Sequence, residues 1–490
     1  MFSLYTDTPE FYNDICEEIR LFVNEKKIAL VNKDEIGAGH CLRHFFWCDE
    51  TGWNGKVEYC IDGEIKQKTV MKPDFCEDGR PVDITRPTLL AKKLKKHHVK
   101  GIVYAALRAW YGEDKPWGSL TGIRPTKLMH ELEKKHGMEE AKRIFRETYF
   151  VSEPKISLAR TIVRRQKPYM EDIGERDLDI YIGIPFCISR CKYCSFISRD
   201  IQFNAKLKDE YMEHLLRELS LLRPVLDTYH VRAVYIGGGT PTALDDPAFA
   251  KLLRAVREHF PNPREFTVEA GRPDTITKEK LDMIKNAGAG RISINAQTTN
   301  DDTLLRIGRR HSAEEFFRAF ELAKTYGFDS INTDIILGLP LETPEDTLRT
   351  LADVTRFEPE NVTVHTLALK NASDFALENQ DLLDSRMVTE MVEQSQHFLS
   401  EAGYLPYYLY RQKYMSGNME NVGFSKQGKE SVYNIDIMEE TVSVMAFGAG
   451  GISKKLYPQE NLLKRAANVK DIPNYIERTC EMAERKKELF

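Results

Sequence analysis

The sequence lacks the features of several protein classes. No uninterrupted apolar run approaches the roughly 18 residues that a membrane-spanning helix requires. No basic excess is present, since 70 lysines and arginines face 75 aspartates and glutamates, and this balance disfavours nucleic acid as the main partner. The first residues show neither the basic nor the apolar stretch of a secretory signal. We therefore expect a soluble, cytoplasmic protein.

Cysteine is absent from a long part of the chain, between Cys194 and Cys480. The total of nine is odd, which in a cytoplasmic protein of 490 residues disfavours a disulfide framework. A chain of this length corresponds to about three domains. Three cysteines nevertheless lie close together, at Cys187, Cys191 and Cys194, in a C-x3-C-x2-C spacing directly after an apolar run. This cluster is the strongest chemical signal in the sequence.

The middle of the chain alternates short strand-like runs with helical patterns. The predicted strands are residues 179–184, 231–236, 266–269, 291–295, 330–337 and 362–369. Helical patterns lie between them, among them residues 248–260, 278–287, 314–326 and 344–356. This alternation predicts a parallel sheet with right-handed crossovers. Because six units are too few for a closed eight-stranded barrel, we expect a partial (β/α)6 TIM-like barrel with its site at the carboxyl ends of the strands.

We predict four segments along this α/β chain. Residues 1–85 contain aromatic, strand-like runs and are expected to form a small α+β module. Residues 86–175 are expected to form a helical connecting segment, and residues 176–375 carry the partial barrel. Residues 376–490 are expected to form a mostly helical C-terminal region that covers the substrate.

The three clustered cysteines suit an iron–sulfur site. Three thiolates on one tight loop can hold three irons of a cubane cluster and leave the fourth iron open to a non-protein ligand. A zinc site needs a fourth protein ligand, and none is evident nearby in the sequence. Structural cysteines remain an alternative, although they rarely cluster so tightly. The run Gly237-Gly238-Gly239-Thr240-Pro241 allows a ligand to approach the backbone closely, but alone it is more often a turn.

The cysteine spacing, with Tyr193 before the third cysteine, resembles the signature of radical S-adenosylmethionine (SAM) enzymes. More narrowly, the chain is similar to the oxygen-independent coproporphyrinogen III oxidase family. The motifs that carry this similarity are residues 181–187, 237–241, 266–270, 291–297, 308–309, 334–340 and 448–453. Residues 120–125, with the extension before them, resemble the HemZ-type coproporphyrinogen dehydrogenase branch.

The resemblance implies a 4Fe-4S cluster and S-adenosyl-L-methionine as cofactors. The cluster ligands would be Cys187, Cys191 and Cys194. The family positions that contact the SAM cofactor are occupied in this sequence by Tyr181, Gly238, Gly239, Thr240, Glu269, Gln297, Arg309, Asp334, Ala368 and Ile452. The chemistry agrees with these roles, because a carboxylate suits ribose hydroxyls or an ammonium group and a guanidinium suits a carboxylate.

The implied activity is anaerobic oxidative decarboxylation of two coproporphyrinogen III propionates to vinyl groups, which gives protoporphyrinogen IX in haem biosynthesis. The implied partners are the tetrapyrrole substrate, an electron donor such as flavodoxin or ferredoxin, and an unidentified electron acceptor, with the protein acting as a monomer. Two alternatives stay open. Related branches include a haem-binding chaperone of the HemW type and a radical SAM enzyme that opens the haem ring.

Departures from the family pattern concern the substrate side. Gly183 stands where many members have histidine, and Ser195 and Phe196 stand where the oxidase branch has a further cysteine. No catalytic side chain is assigned, since the radical is generated at the cluster. A tetrapyrrole with propionate groups needs cations, and the candidates for substrate contact are Arg411, Lys413 and Arg124.

Overall fold

The computed structural model describes most of the chain. The residues outside the described part are 1, 24–26, 33–38, 50–51, 72–75, 78–79, 82–87, 123, 369–372, 379–382, 413–414, 416–417 and 461. The described chain forms two compact units, one of residues 1–122 and 129–159 and the other of residues 123–128 and 160–490. Among the described helices, none has the length and apolar character needed to cross a membrane. The four predicted segments stay a prediction.

The first unit is an α+β module. Its strands are β1 (Phe2–Thr6), β2 (Ile28–Leu30), β3 (His40–Asp49), β4 (Gly52–Ile61), β5 (Glu64–Met71), β6 (Cys76–Glu77) and β7 (Arg80–Pro81). Its helices are α1 (Tyr12–Ile19), α2 (Leu89–Tyr111) and α4 (Met138–Glu147), while α3 (Pro125–His136) and α5 (Glu153–Glu171) continue into the second unit. The main sheet has the order β2-β1-β3-β4-β5. Apolar side chains of the sheet, such as Val57, form a core with those of α1 and α2, such as Ile15 and Ile102.

The lysine-rich start of α2 is paired with the acidic segment around α1. The pairs are Lys95–Glu10, Lys96–Asp14 and Lys100–Glu18, at 3.0, 3.1 and 3.3 Å. Acids four residues apart on one segment meet lysines of the next, as two packed helix faces allow. The lysines of this run therefore serve the packing of the module.

The second unit contains the parallel strands that the sequence predicts. They are β8 (Asp177–Ile184), β11 (His230–Gly238), β12 (Glu265–Glu269), β13 (Arg291–Ser293), β14 (Ser330–Leu337) and β15 (Asn361–Thr366). Each pairs in parallel with the next along the chain, and two short strands, β9 (Phe186–Cys187) and β10 (Arg199–Asp200), follow β8. The crossover helices are α6 (Ala205–Leu226), α7 (Asp246–His259), α8 (Lys278–Asn286), α9 (Asp301–Arg306), α10 (Ala313–Lys324) and α11 (Pro344–Thr355). The partial (β/α)6 barrel is confirmed.

Local sequence sets where several crossover helices begin. Asp245 caps α7 by accepting a hydrogen bond from the Ala248 backbone nitrogen. Ser312 and Glu315 form a reciprocal capping box at the start of α10. Such caps satisfy backbone donors that have no partner inside the helix. The helices then bury their apolar faces, for example Phe249 of α7, against the sheet core.

The C-terminal region is richer in strands than the sequence predicts. Its helices are α12 (Asp374–Leu377), α13 (Ser385–Glu401), α14 (Val432–Glu439), α15 (Ile472–Glu477) and α16 (Thr479–Leu489). Its strands are β16 (Leu405–Tyr410), β17 (Asn421–Ser425), β18 (Ser443–Phe447), β19 (Ile452–Tyr457) and β20 (Leu462–Ala467). They extend the sheet at both ends, since β18 pairs in parallel with β8 and β17 pairs antiparallel to β15.

A buried ion pair ties the last helix to the loop after β18. Lys486 of α16 lies 2.6 Å from the carboxylate of Glu218 on α6, and both side chains are fully buried. The same carboxylate accepts hydrogen bonds from the Gly448 backbone nitrogen at 3.0 Å, the Asn468 amide at 2.9 Å and the Tyr475 hydroxyl at 2.7 Å. Four donors therefore compensate the burial of this one charge.

Candidate active site

A cavity of about 240 Å³ lies at the carboxyl ends of the parallel strands. Eleven of the residues predicted to bind the cluster or SAM line it. They are Cys187, Cys191, Cys194, Gly238, Gly239, Thr240, Glu269, Gln297, Arg309, Asp334 and Ala368. They come from the ends of different strands, where parallel (β/α) sheets carry their sites.

The remaining predicted cofactor residues lie outside the wall of this cavity. Tyr181 lies within β8, three residues before the end of the strand, and its ring stacks on that of Tyr235 with 6.3 Å between the ring centroids. Burial raises the pKa of Tyr181 above its ordinary value, so its hydroxyl stays protonated. Ile452, at the start of β19, has 46% of its surface exposed and does not line the cavity.

Of the three predicted substrate cations, Arg124 and Arg411 do not line the described cavity wall. Arg124 is paired with Glu440 at 2.7 Å. Arg411 is buried and donates a hydrogen bond to the Asn418 carbonyl at 2.7 Å. Lys413 lies outside the described residues. Its neighbours Tyr410 and Gln412 do line the cavity.

The cysteine loop packs tightly against the glycine-rich turn after β11. The Thr240 hydroxyl donates to the Cys187 sulfur at 3.5 Å. A Cβ atom on Gly239 would lie 2.5 Å from the Phe186 carbonyl oxygen and 3.0 Å from the Cys187 sulfur, so a larger residue would displace the loop. Burial raises the pKa of the Cys194 thiol to about 11. A metal centre that binds here must therefore displace the proton of this half-buried thiol.

Arg272 holds the cysteine loop in place through Ser189, a role that was not predicted from the sequence. Its guanidinium donates to the Ser189 hydroxyl at 2.7 Å and makes two hydrogen bonds to the Asp274 carboxylate, at 3.0 and 2.8 Å. The Lys192 backbone nitrogen donates to the Ile307 carbonyl at 3.0 Å. These contacts fix the loop backbone between the three cysteines. The only signal in the sequence for this role is that Arg272 follows the end of β12 by three residues, which places it at the edge of the sheet where the site lies.

Glu269 is a carboxyl group in the cavity wall with an altered pKa. It accepts a hydrogen bond from the Tyr235 hydroxyl at 2.5 Å and from the Gly238 backbone nitrogen at 3.2 Å. Burial, together with the charge of Asp334, raises the pKa of Glu269 to about 7. It can thus change its protonation near neutral pH.

Asp334 lies in the wall beside His365, a second residue that the sequence analysis missed. The Asn332 amide donates to Asp334 at 2.8 Å, and the His365 Nε2 atom lies 3.7 Å from the other carboxylate oxygen. The His365 Nδ1 atom lies 3.2 Å from the Tyr410 hydroxyl. Burial acts to raise the pKa of Asp334, but the hydrogen bond and charge of His365 hold it below its ordinary value. Asp334 is therefore ionised at neutral pH.

Arg309 is a buried cation in the same wall. It donates to the Asn295 carbonyl at 2.9 Å and to the Tyr193 hydroxyl at 3.3 Å. Its Nε atom has no hydrogen-bond partner among the described residues. The nearby backbone of Gln297 has a φ of +63° and donates to the Asp334 carbonyl at 2.8 Å. The wall thus offers a guanidinium, two carboxyl groups and backbone groups to a polar ligand.

These residues fit an iron–sulfur cluster with a polar ligand on its open iron. Three sulfur donors share one cavity with a glycine turn that has no room for a side chain. A carboxylate suits hydroxyl or ammonium groups, and a buried guanidinium nitrogen without a partner suits a carboxylate. The donor set therefore agrees with the group that the spacing predicts.

Comparison with known proteins identifies this fold and its family. The family model of the radical SAM superfamily matches residues 181–354. The solved structure of coproporphyrinogen III oxidase (HemN) from Escherichia coli, a radical SAM enzyme, covers 64% of this chain and 72% of its own, with a TM-score of 0.52 and 24% sequence identity. This likeness supports the fold. The fold and the cysteine loop therefore define a radical SAM protein, and members of this superfamily use a 4Fe-4S cluster and SAM.

Two curated relatives narrow the assignment. The oxygen-independent coproporphyrinogen-III oxidase-like protein HemZ of Bacillus subtilis is 38% identical over 428 residues, which are 85% of this chain and 85% of that protein. The heme chaperone HemW of E. coli is 30% identical over 289 residues, or 59% of this chain and 72% of HemW. The chain belongs to the family of oxygen-independent coproporphyrinogen III oxidase-like proteins.

Proposed function

We propose that the protein is an oxidoreductase that converts two propionate groups of coproporphyrinogen III to vinyl groups without oxygen, giving protoporphyrinogen IX. The observation that carries the proposal is the similarity to the HemZ oxidase-like protein over 85% of both chains, combined with a cavity that holds all three cysteines. The substrate is a tetrapyrrole. Each carboxyl group would leave as carbon dioxide, and the electron left on the substrate would pass to a separate acceptor, while a donor such as flavodoxin or ferredoxin would reduce the cluster.

The cysteine loop would hold the cluster. Cys187, Cys191 and Cys194 are its ligands, and Arg272 keeps the loop backbone in place through Ser189. When bound, the cluster and SAM supply the radical that takes a hydrogen atom from the propionate side chain. The protein excludes water from this step and orients the reacting groups.

The cavity wall would bind SAM. Glu269 and Asp334 accept hydrogen bonds from amino or ribose groups, and the free Nε of Arg309 donates to a carboxylate. Gly238, Gly239 and Thr240 bring the backbone close to the ligand. Tyr181 lies behind this turn, and Ala368 and Ile452 take the adenine or a second SAM molecule. The roles of Arg411, Lys413 and Arg124 in substrate binding belong to the same proposal.

The test is an anaerobic product assay. Reconstituted protein is incubated with SAM, a reductant and coproporphyrinogen III, and protoporphyrinogen IX and 5′-deoxyadenosine are measured. We expect both products from the native protein and neither from Cys187→Ser. Cys480→Ser is the matched control, because Cys480 is exposed on α16 and should leave turnover unchanged. Absence of deoxyadenosine from the native protein would overturn the proposal.

A haem chaperone is the second candidate, and the similarity to HemW at 30% identity favours it specifically. The same assay is therefore run with haem offered in parallel. Stoichiometric haem uptake and transfer without cleavage of SAM would support the chaperone. Consumption of haem with a linear tetrapyrrole product would instead support a ring-opening enzyme. Formation of protoporphyrinogen IX excludes both as the main activity.

A further inference from the structure

His365 is a cavity residue to which the proposed function gives no task. It lies near the end of β15, lines the cavity, and has 26% of its side chain exposed there. Its two ring nitrogens face different partners, the Asp334 carboxylate at 3.7 Å and the Tyr410 hydroxyl at 3.2 Å. A histidine held on both sides in this way is common where the ring orients another functional group.

The backbone places the three residues side by side. In the register of β14 and β15, Asp334 pairs with Thr363 and Ile336 pairs with His365, so the histidine side chain reaches back towards Asp334. Tyr410 comes from the end of β16, in the C-terminal region. The interaction therefore joins two strands of the barrel to one strand that the C-terminal region adds.

Asp334 is already restrained on its other side. The Asn332 amide donates to one carboxylate oxygen at 2.8 Å, and the same amide nitrogen lies 2.8 Å from the Ser293 hydroxyl. The Thr363 hydroxyl donates to the Asn332 side-chain oxygen at 3.0 Å. One carboxylate oxygen thus accepts from an amide that two hydroxyl groups hold in place, while the other oxygen faces His365. Without the ring, this second oxygen would lose its polar neighbour.

The contact between the Tyr410 hydroxyl and Nδ1 of His365 bears on which ring nitrogen carries the proton. A hydroxyl that donates to Nδ1 leaves the ring proton on Nε2, the atom that faces the carboxylate. A donor at Nε2 then orients the carboxylate and favours its ionised form. Glu269 also lies in the field of this ring, and it shares the cavity wall with Asp334.

We propose that His365, held by Tyr410, is a positioning residue that orients the Asp334 carboxylate towards the hydroxyl groups of a nucleoside ligand. The inference rests on the proposed function, because it takes the role of Asp334 in SAM binding from there. His365 acts through Asp334 and does not touch the ligand. The C-terminal strand β16 thereby contributes to cofactor affinity through Tyr410.

The test is a double-mutant cycle in cofactor binding. Anaerobically reconstituted protein is titrated with S-adenosylhomocysteine, which carries the same ribose and cannot be cleaved. We expect Asp334→Asn and His365→Phe each to weaken binding about tenfold, a change of about 1.4 kcal/mol in binding free energy. The double variant should bind no more weakly than Asp334→Asn alone, because residues that act through one another are not additive.

Two further variants separate positioning from general damage. His365→Gln keeps an amide nitrogen near the place of Nε2 and should restore binding to within about threefold of native. His397→Gln is the matched control, since His397 is exposed on α13. Iron and sulfide content is measured for every variant, and His365→Gln serves where His365→Phe fails to fold.

Three results would overturn the inference. Losses that multiply in the double variant would mean that His365 contacts the ligand itself. Native binding by His365→Phe beside a weakened Asp334→Asn would mean that the ring does nothing for the carboxylate. Native binding by Asp334→Asn would show that Asp334 has no role in SAM binding, and the inference would then be wrong because this part of the proposed function is wrong. This result differs from the other two, in which Asp334→Asn still weakens binding.

Discussion

The buried pair of Glu218 and Lys486 gives the sharpest test of the fold. Replacing Lys486 with methionine keeps the length of the side chain and removes its ammonium group. The Glu218 carboxylate then stays fully buried with three neutral donors and no counter-charge. Breaking a buried ion pair on one side costs about 3–5 kcal/mol. That is a large part of the roughly 5–15 kcal/mol that stabilises a typical domain.

The double variant distinguishes a charge effect from a packing effect. Glu218→Gln in the Lys486→Met background removes the stranded charge and keeps an acceptor for the neighbouring donors. We expect it to recover part of the loss, because replacing both partners of a buried pair costs less than removing one. A double variant that is less stable than Lys486→Met alone would refute the reasoning.

The four tryptophans supply an internal reference for the assay. All four, Trp47, Trp53, Trp110 and Trp117, lie in the first unit, whereas Glu218 and Lys486 lie in the second. Urea unfolding is followed by tryptophan fluorescence and by far-ultraviolet circular dichroism. The variant should move the circular dichroism transition to lower urea and leave the fluorescence transition in place. An unchanged circular dichroism midpoint would also refute the prediction.

Three further changes have defined outcomes. Asp179→Asn should raise the free energy of unfolding at pH 8, since burial raises the pKa of Asp179 well above 3.8 and an ionised carboxylate at this position destabilises the folded chain as pH rises. Glu440→Gln should lower the free energy of unfolding at pH 7 by about 1–2 kcal/mol after allowance for solvent screening, since burial is outweighed by basic neighbours that hold the pKa of Glu440 at about 2. Gly239→Ala should lower the iron and sulfide content after reconstitution, because its methyl group would lie 3.0 Å from the Cys187 sulfur.

Each of these predictions has its own control. The gain from Asp179→Asn should shrink as pH falls below the ordinary pKa of 3.8, where the carboxyl becomes protonated in both states, and an equal gain at pH 8 and at about pH 3 would contradict the prediction. The stabilisation from Glu440 is present above its ordinary pKa of 4.5 and lost as pH falls towards 2, so an equal loss at pH 3 and pH 7 would contradict that prediction. Gly271→Ala is the control for Gly239, because its Cβ would meet Asn295 at an ordinary 3.6 Å.

The central barrel could be predicted because its signals are local. The strand at residues 330–337 has the bounds of the predicted run, and the start of α11 follows from the capping residue Thr343. The strands added by the C-terminal region could not be predicted in the same way. The run at 443–447 becomes a strand through its pairing with β8, and nothing near it in the sequence indicates that distant partner.

The site residues likewise fall into those that the sequence indicates locally and those that only the fold brings together. The cysteines lie within eight residues, so their spacing alone indicates the chemistry. His365 and Arg272 are ordinary polar residues in sequence, and only the register of the strands brings them to the cavity. The ion pair of Arg124 with Glu440 could not be predicted either, because a positive charge in the sequence does not show which carboxylate the fold places beside it.

The flanking strands of the sheet also affect how the chain folds during its synthesis. β8 pairs with β18, and the paired residues Leu178 and Ser443 are separated by more than half the chain. β15 likewise pairs with β17. Chains emerge from the ribosome amino end first, and distant pairings form late. The cysteine loop is therefore synthesised long before β18 can pair with β8. Until the last quarter of the chain has been synthesised, β8 is an open edge strand, and we expect the partly folded barrel to need protection at that edge.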